Sequence, residues 1–203
     1  MPVYPGDPSP SFEPAATIAA NGVNLTRMIL GSHTGTHVDA PIHFIPDGIG
    51  VDSVPVPSLI GEAVVLDLSA KPIGSGISFA DIDEKLENQN IQNKFVLCYT
   101  GSSDQWGNPE TNSNYTYLTA EGAQYLISRK IRAFGIDFLS VEKFHERSAP
   151  AHKTLLGAGV FIIESLSKDL KQFIGKRILF ISLPLKLKSG DGAPCRAIAV
   201  PIE

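Results

Sequence analysis

Apolar and polar positions along the chain change period several times, and the changes mark out its elements. Gly22–Leu30 mixes alternation with an apolar end and runs straight into the His33 loop, which predicts a strand with the first candidate ligands at its end. Gly61–Leu68, Lys94–Thr100, Arg132–Asp137 and Val160–Glu164 are nearly continuous apolar runs, the pattern of strands covered on both faces. Helical signals fall between them. Ser78 and Asp81 match a capping box ahead of a helix reaching about Asn88. Thr119 caps Ala120–Arg129, whose Ala123, Leu126, Ile127 and Lys130 spacing gives one apolar stripe and one polar side. Ala151–Gly157 reads as a short helix closed by its glycine, and Arg177–Leu187 with Arg196–Val200 as a terminal hairpin turning at Lys188–Gly192. Tyr4–Pro10 is dense in turn formers and predicts an ordered loop, Ile45–Gly48 a turn, and the Pro-interrupted Val51–Pro57 an edge or irregular segment. The alternation of strand and helix predicts an α/β fold: one compact domain over residues 1–203, with mixed β-sheet layers and flanking helices.

Composition narrows the function classes. The 203 residues are 43% hydrophobic and 19% charged, enough for a sizeable core and too ordinary for disorder. A net charge of −4 without any Lys/Arg cluster argues against nucleic-acid or anionic-membrane partners. No apolar run approaches the ~20 residues needed to cross a bilayer, and Met1–Gly6 lacks a basic segment followed by an apolar one. The expectation is therefore a cytoplasmic protein. Cys98 and Cys195 stand far apart, outside any C-x-x-C pair, and read as reduced core thiols.

The chemistry concentrates in Gly31–Phe44, which holds three of the five histidines and a carboxylate. His33, His37, Asp39 and His43 all occupy odd positions, so an extended chain points them to one face. A straight strand would still hold His33 and Asp39 about 20 Å apart, whereas ligands of one Zn²⁺ each lie about 2 Å from it. A helix would align His33 with His37 but swing Asp39 away, and Gly35 and Pro41 both oppose helix. The backbone must bend, with Gly35 the residue best able to fold it. Neutral imidazoles and carboxylates so crowded predict a site for Zn²⁺ or Mn²⁺.

His33-x3-His37-x-Asp39-Ala-Pro41-x-His43 resembles the signature of the metal-dependent cyclase-type hydrolases, a family that includes bacterial kynurenine formamidases and isatin hydrolases. The likeness continues downstream. His152 stands before an L-L-G turn and Glu164 at the end of the next strand, positions that belong to the metal site in that family. Taken alone, His152 reads as a helix-surface residue and Glu164 as a solvated strand-end charge. The resemblance implies instead that His33, His37 and Asp39 hold one ion, that His152 helps to hold a second, and that Asp39 and Glu164 bridge. It also implies the family's cyclase-type architecture, similar to a swivelling β/β/α fold. Tyr4 takes the place of a tryptophan in the family's W-P-G-D element, where the aromatic borders the substrate; its other reading is a surface turn. The family carries a strand before this element that the present sequence begins too late to supply. Asp191–Arg196 resembles the family's D-G-x-P-x-R end segment and is read as architectural, and His145, among Glu142, Lys143, Glu146 and Arg147, as solvated surface.

Together with this resemblance, the residues imply a metal-dependent hydrolase, and the resemblance implies that it opens the amide of an aryl formamide or a cyclic amide, with an isatin-type lactam as the alternative. The ion, Zn²⁺ first and Mn²⁺ second, in one or two copies, would activate water and polarise the carbonyl. His43, just past Asp39, is assigned as the general acid/base that protonates the leaving nitrogen, with a fourth-ligand role as its alternative. Trp106, the only tryptophan, sits in the polar loop Gly101–Asn114 and is read either as closing over a planar substrate or as part of a plain exposed loop. A non-catalytic metal-binding module is the competing class. The sequence disfavours it, because structural zinc sites are usually Cys-rich and closed. A homodimer or higher homo-oligomer is expected from the resemblance and from the apolar segment Val51–Leu59.

Overall fold

The computed structural model describes residues 3–108 and 112–203. In chain order its strands are β1 (Ser11–Ala16), β2 (Leu25–Ile29), β3 (His37–Asp39), β4 (Ile60–Asp67), β5 (Gly76–Ile77), β6 (Phe95–Tyr99), β7 (Tyr117–Leu118), β8 (Ala133–Ile136), β9 (Phe161–Glu164), β10 (Ile178–Pro184) and β11 (Gly192–Pro201). The α-helices are α1 (Ile18–Asn21), α2 (Phe79–Leu86), α3 (Ala120–Ser128) and α4 (Pro150–Gly157).

Among the described residues, seven strands close into a barrel in the order β10-β11-β3-β9-β8-β6-β4. The neighbours β4, β6, β8 and β9 pair in parallel, and the remaining pairings are antiparallel. Parallel neighbours need long crossovers, and these carry α2, α3 and α4. This is the mixed-sheet α/β fold that the alternation predicts. Helix α2 starts at the expected capping box, with Ser78 and Asp81 satisfying each other's backbone N–H groups, and α3 starts with the Thr119 hydroxyl accepting from Gly122 N.

Side-chain alternation sorts the apolar runs into two cores. Ala63, Val65, Phe95, Leu97, Ala133, Phe161 and Ile163 point into the barrel with Val38, Ile178 and Phe180. Their strand neighbours Leu66, Val96, Cys98, Phe134, Ile136 and Ile162 point outward under Ile82, Leu86, Leu126 and Leu155 of the helices. Both faces are covered, which explains why the runs lack alternation in sequence. Gly135 sits where a Cβ would press 2.7 Å from Leu97 and 3.0 Å from Leu166, so only glycine fits this inward position of β8.

Two expectations need correction, and one strand was not foreseen. The segment Ser11–Ala16 forms a strand paired with β2, a hairpin that the prolines around it conceal. Val51–Pro57 is irregular rather than a sheet edge, forming short 3-10 turns, and the apolar exposure expected of Val51–Leu59 fails, because Val51, Val54 and Leu59 are buried in the barrel core and Val56 is the large apolar side chain left exposed. The apolar surface lies on the β1–β2 hairpin, where Phe12, Ile18, Leu25 and Met28 are all more than half exposed. Helix α4 runs through Gly157, and the left-handed residue that ends it is Gly159 at φ 75°.

Candidate active site

Strand parity builds the floor of the site. In β3, Val38 points into the barrel, so His37 and Asp39 point to the opposite face; in β9, Phe161 and Ile163 point in, so Glu164 points out. The register pairs His37 with Glu164 and Asp39 with Ile162, which brings two candidate ligands of β3 and one of β9 together. His33 reaches the same place because the chain bends between it and β3. Gly35 takes the left-handed conformation at φ 68°, as expected of the folding residue. The Thr36 hydroxyl braces the bend by donating to the Ser165 carbonyl at 2.6 Å.

Each predicted ligand faces another. His33 Nδ1 is 2.9 Å from Asp39 Oδ1, and His37 Nε2 is 3.2 Å from Asp39 Oδ1 and 3.4 Å from Glu164 Oε2. His152 Nε2 lies 3.5 Å from Asp39 Oδ2 and 3.2 Å from Glu164 Oε1. Asp39 is thus central, touching three imidazoles from full burial. His43 stacks on His33 with ring centroids 4.1 Å apart and lies 5.8 Å from the His152 ring.

Two residues that the sequence reading places outside the site lie against it. Glu142, read as solvated surface, is buried, and its Oε1 accepts the His152 N–H at 2.8 Å while lying 3.3 Å from His152 Nδ1. One carboxylate therefore caps the first turn of α4, which has no side-chain cap at Ala149, and turns the His152 ring so that Nε2 faces Asp39 and Glu164. The signal was an acidic residue ahead of a helix that lacks an N-cap, legible only once the helix start is known. Asp191, read as architectural, lies 3.3 Å from His33 Nε2 and 3.8 Å from His43 Nδ1.

The electrostatics are those of a cation site. Burial alone would lower the pKa of His37, but the Asp39 and Glu164 carboxylates outweigh it and push it up to about 10. His152 and His33 are raised by the same contest between burial and carboxylates. Asp39 is held well below the usual carboxylate range despite its burial, by His152, His33 and His37, and Glu164 is lowered too. His43 moves the other way, lowered chiefly by burial. Without protons or a cation, two buried carboxylates would cost several kcal/mol each. A divalent ion fits these residues on a direct observation. His37 Nδ1 is committed to the Gly35 carbonyl at 2.7 Å, and His37 Nε2 and Asp39 Oδ2 are buried without hydrogen-bond partners. Nitrogen and carboxylate donors free of thiolate suit a divalent metal.

A cavity of about 350 Å³ opens over this floor, lined by His33, His43, His152 and Glu164 below and by Tyr4, Phe44, Leu139 and Lys143 above. Tyr4 stands at the cavity wall, its ring 5.7 Å from that of Phe144. Trp106 does not line the cavity. It packs behind Tyr4 with Tyr115, Phe138, Leu139 and Phe144. Residues 109–111 of its loop lie outside the described residues. His145, read as plain surface, also lines the cavity, with its ring 3.8 Å from that of Phe144.

The Cyclase family model matches residues 1–143, which include the whole His33–His43 stretch. The chain belongs to the Cyclase family. It is 31% identical over 199 residues to the kynurenine formamidase of Erythrobacter litoralis, a match that covers 98% of this chain and 87% of that one. The family fold is also shared with a potential metal-dependent hydrolase with cyclase activity, at TM-score 0.82 and 32% identity over 100% of this chain and 92% of the other. An isatin hydrolase bound to the product analogue thioisatinate superposes at TM-score 0.86 with 27% identity, covering 96% of this chain and 83% of that one. His152 and Glu164 lie beyond the family match but within the span shared with these relatives.

Proposed function

We propose that this protein is a metal-dependent hydrolase that opens an amide beside a flat ring, an aryl formamide first and an isatin-type lactam second. The observation that carries the reading is the pair of buried atoms His37 Nε2 and Asp39 Oδ2, without hydrogen-bond partners and beside the His33, His152 and Glu164 side chains that line an open cavity. His33, His37 and Asp39 would hold one ion, and His152 with Asp39 and Glu164 a second. Zn²⁺ is the first choice and Mn²⁺ the second. When bound, the metal supplies Lewis-acid activation of water and of the substrate carbonyl.

The rest falls to side chains. Burial keeps His43 below the ordinary histidine pKa, so it is neutral at pH 7 and able to accept a proton from the attacking water. It then delivers that proton to the nitrogen as the C–N bond breaks, and an aryl formamide yields formate and the free aryl amine. Tyr4 and Phe44 offer apolar ring surface above the reacting bond. Trp106 contributes from behind Tyr4, by holding the wall rather than by touching substrate.

The lactam reading is favoured by the likeness to the isatin hydrolase and by a cavity open enough for a fused ring. A homodimer or higher homo-oligomer is part of the proposal, with the exposed apolar β1–β2 hairpin as its contact surface. The test is a turnover screen of metal-stripped and reloaded protein, with Zn²⁺ and Mn²⁺ separately, on aryl formamides and isatin. Hydrolysis that vanishes with chelator and returns with one ion is the expected result. A large loss of melting temperature on stripping, with no turnover of any substrate, would favour a non-catalytic metal-binding module.

A further inference from the structure

We propose that Asp191 and Gly192 are a positioning pair for this site, with Asp191 fixing the ring orientation of His33 and Gly192 leaving the space that ring occupies. The proposal rests on the reading of His33 as a metal ligand. The pair is rigidly placed. Asp191 O accepts from Ala40 N at 2.9 Å, and Gly192 is in register with Asp39, so this end of β11 is anchored to the strand that carries the ligands.

Asp191 Oδ2 lies 3.3 Å from His33 Nε2, on the edge of the ring opposite the Nδ1 that faces Asp39 at 2.9 Å. A carboxylate that accepts the Nε2–H selects the tautomer whose lone pair is on Nδ1, the atom turned toward the other ligands, and raises its basicity. The same oxygen is 3.8 Å from His43 Nδ1, and the two rings stack at 4.1 Å with 30° between their planes. One carboxylate therefore serves as a common stop for both rings. Gly192 supplies an independent observation. A Cβ there would sit 2.7 Å from His33 Cε1, 3.2 Å from His33 Nδ1 and 2.9 Å from the Val38 carbonyl, so any other residue forces the ring from its place. A purely architectural turn would not require glycine to face a histidine ring.

The test compares wild type with Asp191→Asn, Asp191→Glu and Gly192→Ala. Three quantities are read: the melting temperature of stripped protein, Zn²⁺ and Mn²⁺ affinity by competition with a chelating dye, and the visible spectrum of the Co²⁺-loaded form. The expected result is a loss of affinity of about tenfold to a hundredfold in Asp191→Asn and Gly192→Ala, with partial recovery in Asp191→Glu. The Co²⁺ bands should shift in Asp191→Asn and Gly192→Ala; stripped Asp191→Asn should melt as wild type does, whereas Gly192→Ala should also melt lower because its Cβ meets the Val38 carbonyl. Should Asp191→Asn not fold, Gly192→Ala and Asp191→Glu decide, since both keep the carboxylate. Affinities within about threefold of wild type and an unchanged Co²⁺ spectrum would overturn the proposal, since outer-shell partners of a ligand normally cost at least tenfold. Wild type that binds none of the three ions would instead overturn the reading of the site, and the proposal with it.

Discussion

His37 and Glu164 face each other as a register pair across the antiparallel strands β3 and β9, with His37 Nε2 3.4 Å from Glu164 Oε2. Sheet register, rather than nearness in the chain, brings them together, and a slip of one residue would turn His37 into the barrel. Glu164→Gln keeps the size of the side chain and an acceptor for Val141 N, now 2.7 Å from Glu164 Oε1, while removing one charge. The variant should fold, retain the ion at His33, His37 and Asp39, and lose the one at His152. Elemental analysis should show one fewer ion per chain than wild type, with hydrolysis lowered by about a hundredfold or more, beyond the loss typical of outer-shell changes. Equal metal content in the two proteins would contradict the assignment of Glu164.

Stripping the metal should make stability depend on pH. In the folded, metal-free protein His37 holds its proton up to about 10, whereas an ordinary histidine releases it near 6.5. A raised histidine contributes stability that is complete below its unfolded pKa and is lost as pH rises through the folded one. His152 acts in the same direction. The stability of stripped protein, and its melting temperature with it, should therefore fall between pH 6.5 and about 10, by up to about 1.4 kcal/mol per pH unit for each proton held. The reloaded protein should not follow it, because the ion replaces those protons. Parallel melting curves for the two forms would be evidence against a cation site.

His43→Asn should separate chemistry from metal binding. His43 stacks on His33 and has a lowered pKa, whereas the groups facing the carboxylates are raised. Removing it should leave metal content unchanged and lower kcat by about 10²- to 10⁴-fold, the usual contribution of a positioned general acid/base, with little effect on KM. In wild type the acid limb of kcat/KM should fall below pH 6.5, since protonated His43 cannot accept a proton. Loss of an ion in the variant would make His43 a ligand instead.

Much of this was legible in the sequence because local rules governed it. Odd spacing and Gly35 predicted a bent chain that gathers His33, His37 and Asp39, and the capping signals at Ser78 and Thr119 are those used. What was hidden depends on register and on partners distant in sequence. Glu142 looks solvated until α4 is seen to start without a side-chain cap, and Asp191 looks like a turn residue until β11 pairs with β3. The β1–β2 hairpin escaped notice because proline disguised its first strand, and Val51–Leu59 misled because proline-broken apolar segments can also fold inward as 3-10 turns.

The cavity wall should decide which ring is accepted, and Tyr4 is the residue to change. It lines the cavity, its ring lies 5.7 Å from that of Phe144, and its hydroxyl accepts from His145 N at 3.4 Å. Tryptophan in its place would add stacking area and give up that acceptor, since the indole N–H only donates. Tyr4→Trp should therefore change the ratio of aryl formamide to isatin turnover while leaving metal content unchanged. Trp106→Phe, altered one layer further back, should lower stability with a smaller effect on the ratio, because Trp106 packs in the same aromatic cluster without reaching the cavity. Both rates are to be measured on the same metal-loaded preparation, so that any change in loading cancels in the ratio. An unchanged ratio in Tyr4→Trp, with both reactions running, would make Tyr4 a turn residue and place selectivity elsewhere on the rim, at Phe44 or Leu139.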